Sequence, residues 1–207
     1  MDIIYFKVKL LLGGGNMLFI IDMQNDYIDR KQGKNYVEDS EKIVEGIINK
    51  IKEAEEKEEY VYYTSDIPIQ EYEFKKEHKQ EPINDRETID IQVKNSNKEE
   101  KWGYEPYKLL RHYLDKHKEV KKSYYAIPPE TLLKFQQKFK EESHIIKEIE
   151  FVGVETHICV LANAICLQSA FPQATIVIHA SLCRSKNEED HEHALKIMES
   201  LGMDIRR

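Results

Sequence analysis

The sequence lacks the features that mark several protein classes. It has no block of lysines and arginines, and 31 basic against 38 acidic residues leave a formal charge of −7. Nucleic-acid binders carry the opposite balance, so that class is excluded. Cysteine is sparse: Cys159, Cys166 and Cys183 are an odd number without metal-ligand spacing. That usage fits a reducing cytoplasm rather than a disulfide framework. The early apolar stretch within residues 1–16, MDIIYFKVKLLLGGGN, has neither a positive lead-in nor a small-residue cleavage site. It reads neither as a signal peptide nor, at that length, as a membrane span. Internal repeats and low-complexity tracts are missing as well.

What is there describes a globular domain. Of the 207 residues, 41% are hydrophobic and 33% charged, enough to bury one proper core. Three consecutive glycines just before Met17 look like a translated ribosome-binding site. Residues 1–16 are therefore expected to be a non-native extension, and 17–207 the domain.

Strand and helix signals alternate along the chain. Met17–Ile21 is a continuous apolar run ending at Asp22, as in a strand buried on both faces. Residues 38–57 place Ile43, Val44, Ile47, Ile48 and Ile51 at helical spacing. Strands are predicted at 60–64, closing on Asp66, and from Glu119, followed by helices over 106–117 and 130–142. Residues 67–101 are irregular, apart from an alternating stretch at 87–93, and a loop of that length is usually functional. A fifth strand over 174–180, a helix over 188–201 and a last strand at 203–205 complete a parallel sheet covered on both faces.

The most informative stretch is Phe151-Val-Gly-Val-Glu-Thr-His-Ile-Cys-Val-Leu-Ala-Asn-Ala164. It reads as strand, sharp turn and helix, with Cys159 in the helix's first turn. Unpaired N–H groups and the positive end of the helix dipole there favour thiolate, the nucleophilic form. In parallel sheets chemistry gathers beyond the carboxyl ends of the strands. Asp22, Asp66, Lys121 or Lys122, and Cys159 all fall at such ends.

These segments resemble the isochorismatase-like superfamily, in particular its nicotinamidase-related cysteine hydrolases. The likeness is carried by Ile-Ile-Asp-Met-Gln-Asn-Asp-Tyr, by a lysine before Tyr-Tyr-Ala, and by Gly-Val-Glu-Thr-His-Ile-Cys-Val. It implies a three-layer α/β/α sandwich around a six-stranded parallel sheet, a Rossmann-like arrangement. It also implies a triad of Asp22, a lysine and Cys159 that cleaves the C–N bond of a small planar amide through a thioester. Lys121 fits the family's Lys-x-Ser/Thr-aromatic pattern and is favoured over Lys122, which on a strand faces the other way. The lysine is expected to lower the thiol pKa and orient the carboxylate. By the same analogy the N–H groups of Glu155 and Cys159 form an oxyanion hole, with a cis peptide between Val154 and Glu155. Tyr27, Trp102 and Tyr124 hold positions that wall the family's substrate pocket.

The resemblance breaks at the metal site. Nicotinamidases of this type bind a divalent metal through Asp-x-His, a further ligand and a second histidine. Here Asp66-Ile-Pro replaces the first pair, with Glu77 at the intermediate position and Asp85 where the last histidine would be. Three carboxylates suit a hard cation such as Mg²⁺ or Mn²⁺ better than Zn²⁺. The expectation is thus an amidohydrolase requiring no cofactor, with Asp66, Glu77 and Asp85 as a degenerate metal site. The alternatives are a true nicotinamidase with a carboxylate-rich metal site, and a catalytically idle relative that only binds. Vinyl-ether cleavage of the isochorismatase kind does not need the thiol this chain keeps. Its partners are expected to be a small-molecule amide and, by family habit, other copies of itself, with neither nucleic acid nor membrane. Of the other polar residues, His157, His191 and His193 are expected at the surface, Cys166 buried, and Cys183 in a loop.

Overall fold

A computed structural model describes residues 15–67, 98–141 and 145–207. The strands are β1 (Gly15–Ile21), β2 (Tyr60–Asp66), β3 (Lys118–Lys122), β4 (Ile146–Val154), β5 (Thr175–Arg184) and β6 (Asp204–Arg206). The α-helices are α1 (Asn25–Ile28), α2 (Val44–Glu56), α3 (Lys98–Tyr104), α4 (Lys108–Leu114), α5 (Pro129–Glu141), α6 (Leu161–Ala170) and α7 (Glu188–Ser200). The strands form one six-stranded sheet in the order β3-β2-β1-β4-β5-β6, with every pairing parallel.

The apolar runs dictate this arrangement. In β1, Met17, Phe19 and Ile21 belong to one core and Leu18 and Ile20 to another. The first core lies under α5, α6 and α7, where Phe19 stacks between Tyr62 and Phe151 and Phe135 meets its edge. The second lies under α2 and α4, through Ile47, Ile51, Leu110 and Leu114. A central strand with apolar side chains on both faces can satisfy them only between two helical layers.

The chain travels outward from β1 to β2 and β3 on the second face. It then returns through α5 on the first face to β4, on the other side of β1. Between β1 and β4 the winding direction reverses, which opens a crevice at their carboxyl ends. β1 starts at Gly15, two residues before Met17, and Asn16 donates to Glu59 at 3.1 Å. The short helix α3 occupies the end of the segment expected to be loop, whereas the stretch at 87–93 lies outside the described residues. Among the described residues no helix is long and apolar enough to cross a membrane.

Candidate active site

Four strand ends deliver side chains to this crevice. Asp22 leaves β1 with φ 49°, a left-handed turn that redirects the chain at the end of the strand. Thr64 of β2 holds it twice: its hydroxyl donates to Asp22 Oδ1 at 2.6 Å and its oxygen accepts from the Asp22 N–H at 3.1 Å. Lys122, the last residue of β3, is fully buried. Its Nζ lies 2.7 Å from Asp22 Oδ2, 3.6 Å from Cys159 Sγ and 4.0 Å from Asp66 Oδ1. It also donates to the Tyr124 carbonyl at 3.0 Å.

The lysine in the site is therefore Lys122, and the preference for Lys121 is corrected. Val120 is the buried apolar residue of β3, and a period of two puts Lys122 on its face and exposes Lys121. Motif spacing favoured the wrong lysine; the strand's own alternation selects the right one.

β4 brings Cys159. A Cβ on Gly153 would lie 2.2 Å from the Ile21 carbonyl oxygen, and its φ is +119°, so this close approach of β4 to β1 requires glycine. The Val154–Glu155 peptide is cis. Thr156–Val160 then forms a π-helical turn, with Val160 N–H donating to Glu155 O at 3.1 Å, before α6 begins. Cys159 thus sits on a π turn rather than in the first turn of an α-helix. Asn163, fully buried, fastens that turn: its Nδ2 donates to the carbonyls of Cys159 (2.7 Å) and Tyr125 (2.9 Å), and its Oδ1 accepts from Ile127 N–H. From the other side His191 Nδ1 lies 2.8 Å from Thr156 Oγ1. His191 is buried, not surface-facing as expected, because α7 packs on the π turn. His157 is half-buried against Ser185. Cys183 is a fully buried residue of β5 rather than of a loop, and burial pushes its thiol up to about 12.

Charge in the crevice runs against the expected lowering of the thiol pKa. Burial raises the Cys159 thiol, and the Asp22 carboxylate raises it further, outweighing the Lys122 ammonium. Both hold Cys159 toward the neutral thiol, beside the Asp22 carboxylate. Burial pulls Lys122 down, but Asp22, Cys159 and Asp66 together push it up to about 12, so it stays an ammonium. Asp66 is raised by burial and by Asp22, against Lys122. Tyr27 donates its hydroxyl to Asp66 Oδ2 at 3.0 Å, and burial with the neighbouring carboxylates raises it strongly.

These side chains line a cavity of about 270 Å³, room for a small molecule. Tyr27 and Tyr124 wall it, joined by Tyr125, Ser123, Val154 and Glu155. Trp102 is not among the described lining residues; its carbonyl instead accepts from Asn25 at 2.8 Å. Thr64 and Asn163 were given no role by the sequence, because a short polar side chain within a strand or helix announces no chemistry; their burial marks them.

Of the carboxylates expected to hold a metal, Glu77 and Asp85 lie outside the described residues. Asp66 is turned toward Tyr27 and Lys122, and an ammonium 4.0 Å away opposes a second cation. Among the described residues the one cluster of ligating type is Glu188, His191 and Glu192. There Glu192 is held by both terminal nitrogens of Arg207, and His191 by Thr156. The described residues do not fit a divalent cation.

Comparison with known proteins supplies context for this geometry. The isochorismatase domain model matches residues 16–206. No curated protein matches the sequence. The fold resembles an isochorismatase family protein from Desulfovibrio vulgaris, with a TM-score of 0.72 at 14% identity over 94% of both chains. It also resembles a nicotinamidase/pyrazinamidase from Bacillus subtilis, with a TM-score of 0.69 at 24% identity over 93% of this chain and 100% of that one. A pyrazinamidase from Pyrococcus horikoshii in complex with zinc gives 0.64 at 19% identity, over 93% and 98%.

Proposed function

Because the chain belongs to the isochorismatase family, we propose that it is a cysteine hydrolase cleaving the C–N bond of a small, planar amide. The observation that carries this reading is the Lys122 ammonium, seated 2.7 Å from the Asp22 carboxylate and 3.6 Å from the Cys159 sulfur in one cavity.

The chemistry follows from the charges. Cys159 Sγ attacks the amide carbonyl while its proton passes to Asp22, so the thiolate never exists as a resting anion. Lys122 keeps its proton throughout and balances the negative charge shared by carboxylate and sulfur. The N–H groups of Glu155 and Cys159 stabilise the oxyanion of the tetrahedral intermediate. On collapse the C–N bond breaks, Asp22 returns the proton to the leaving nitrogen, and ammonia or an amine departs from a thioester. Water then attacks the thioester with Asp22 again as base; the acid leaves and Cys159 recovers its proton. An idle binding protein has no use for a buried lysine held between an acid and a thiol. True nicotinamidase activity is less well supported, because Asp66-Ile67-Pro68 lacks the histidine of the family's Asp-x-His pair.

The test is ammonia release from a panel of small amides, with Cys159→Ser as control. Hydrolysis of at least one amide, lost by a factor of ~10³ or more in the variant, with a trapped acyl group on Cys159 by mass spectrometry, is expected. If the wild type hydrolyses no member faster than Cys159→Ser does, the reading is wrong.

A further inference from the structure

The Glu155 side chain is a buried group that the proposed mechanism leaves unused. Only its backbone N–H was assigned a part. The residue lines the cavity and is 7% exposed, and among the described residues its buried Oε2 has no hydrogen-bond partner. Among the same residues the nearest cation is Lys186, whose Nζ stands 4.0 Å from the other oxygen and whose own side chain is 55% exposed. A buried carboxylate oxygen without a donor is costly, by more than a neutral acceptor in the same place. Such a group persists where a ligand completes it.

The surroundings state what kind of ligand. Among the described residues the acids lining the cavity are Asp22, Asp66 and Glu155, against one ammonium, that of Lys122. That ammonium is already shared among Asp22, Asp66 and Cys159. Tyr27, Tyr124 and Tyr125 add aromatic faces, which attract cations and repel anions. Ser123 Oγ, also buried and without a partner among the described residues, offers a further polar contact.

We infer that Glu155 selects the substrate: the cavity takes amides that carry an ammonium or guanidinium group, and this group docks on the Glu155 carboxylate. The inference rests on the hydrolase reading and narrows its substrate class. It makes uncharged pyridine amides poor substrates and anionic amides poorer still.

Charged thiol reagents test this without a known substrate. Aminoethyl methanethiosulfonate is cationic and sulfonatoethyl methanethiosulfonate anionic. With either, the Cys159 sulfur forms a disulfide and displaces methanesulfinate. Rates at Cys159, resolved from Cys166 and Cys183 by peptide mass spectrometry, are divided by those of a small free thiol. The ratio cancels the intrinsic reactivity of the sulfur. The wild type should favour the cation at least tenfold, and Glu155→Gln should lower that preference at least fivefold. Lys186→Met, a change at an exposed side chain, should raise it twofold or more, and it decides the matter if Glu155→Gln does not fold. A ratio unchanged in these variants, a preference for the anion, or a Cys159 that neither reagent reaches overturns the inference. Amide hydrolysis with a flat ratio would sink this inference and leave the hydrolase standing; a steep ratio with no amide hydrolysed would do the reverse.

Discussion

Replacing Lys122 with methionine removes the one ammonium that, among the described residues, faces Asp22, Asp66 and Cys159, while keeping most of its apolar volume. At an effective dielectric constant near 20, opposite charges attract by ~6 kcal/mol at 2.7 Å and ~4 kcal/mol at 4.0 Å. Desolvating the ammonium, which is 0% exposed, takes back several kcal/mol of this. The variant gains no such refund on the acid side, because Asp22 stays buried at 1% exposure with its charge unanswered. Breaking a buried pair in this way costs about 3–5 kcal/mol, readable by urea denaturation. With no ammonium to balance the charge that carboxylate and sulfur share during attack, amide hydrolysis should drop by ~10²–10⁴. Lys121→Ala is the internal control: the side chain is exposed, so stability should stay within ~0.5 kcal/mol and turnover within about twofold. If Lys122→Met lies within ~1 kcal/mol of the wild type, or Lys121→Ala costs more than Lys122→Met, the placement of the ammonium is wrong.

Two further outcomes follow from buried contacts. Thr64→Val keeps shape but takes both hydrogen bonds from Asp22, so it should cost ~1–3 kcal/mol in denaturation. It should also reduce kcat more than it raises KM, because it loosens the base without touching the substrate. Glu150, 3% exposed, is raised by burial but lowered more by His179 at 2.5 Å and Lys50 at 2.7 Å, to about 2 from 4.5. Its folded pKa lies below its unfolded one, so the unfolded chain takes up the proton first as pH falls. The stabilisation is complete above about pH 4.5 and disappears toward about pH 2; at ~1.4 kcal/mol per pH unit, the gap of 4.5 − 2 gives roughly 3 kcal/mol. Urea titrations across that window should show the fall in wild type and a flatter profile in Glu150→Gln; equal slopes would refute the assignment.

The order of strands and helices was legible because the two central strands are apolar on both faces and the helices carry amphipathic spacing. Met17–Ile21 and Ile149–Val154 admit no other place than the middle of a covered sheet. Asp22 and Cys159 were legible for a related reason, since topology puts the carboxyl ends of β1 and β4 at the crevice whatever else the chain does. The lysine was not, because two adjacent candidates differ only in which face of β3 they take. Val120 held that information, and the motif spacing was allowed to override it. His191 was misplaced because a charged helix face was assumed to meet solvent. Its partner Thr156 lies 35 positions away, and no local pattern links them.

The thiol shows most clearly where sequence reasoning stops. A cysteine after a strand, near a lysine and a helix start, reads as a stabilised thiolate, because each of those neighbours is positive. Folding adds the terms that decide: burial of the sulfur and the proximity of Asp22, which the sequence places 137 positions away (159 − 22). Both oppose the anion, and together they outweigh Lys122. A site built this way does not store a reactive thiolate. It stores a thiol and a base side by side, with an ammonium fixed to receive whichever of them carries the charge. In the proposed reaction, proton transfer then accompanies attack on the carbonyl. Alkylation of Cys159 by a small neutral reagent at neutral pH should accordingly be slow in the empty site, and the same charge arrangement should still allow rapid acylation by a bound amide.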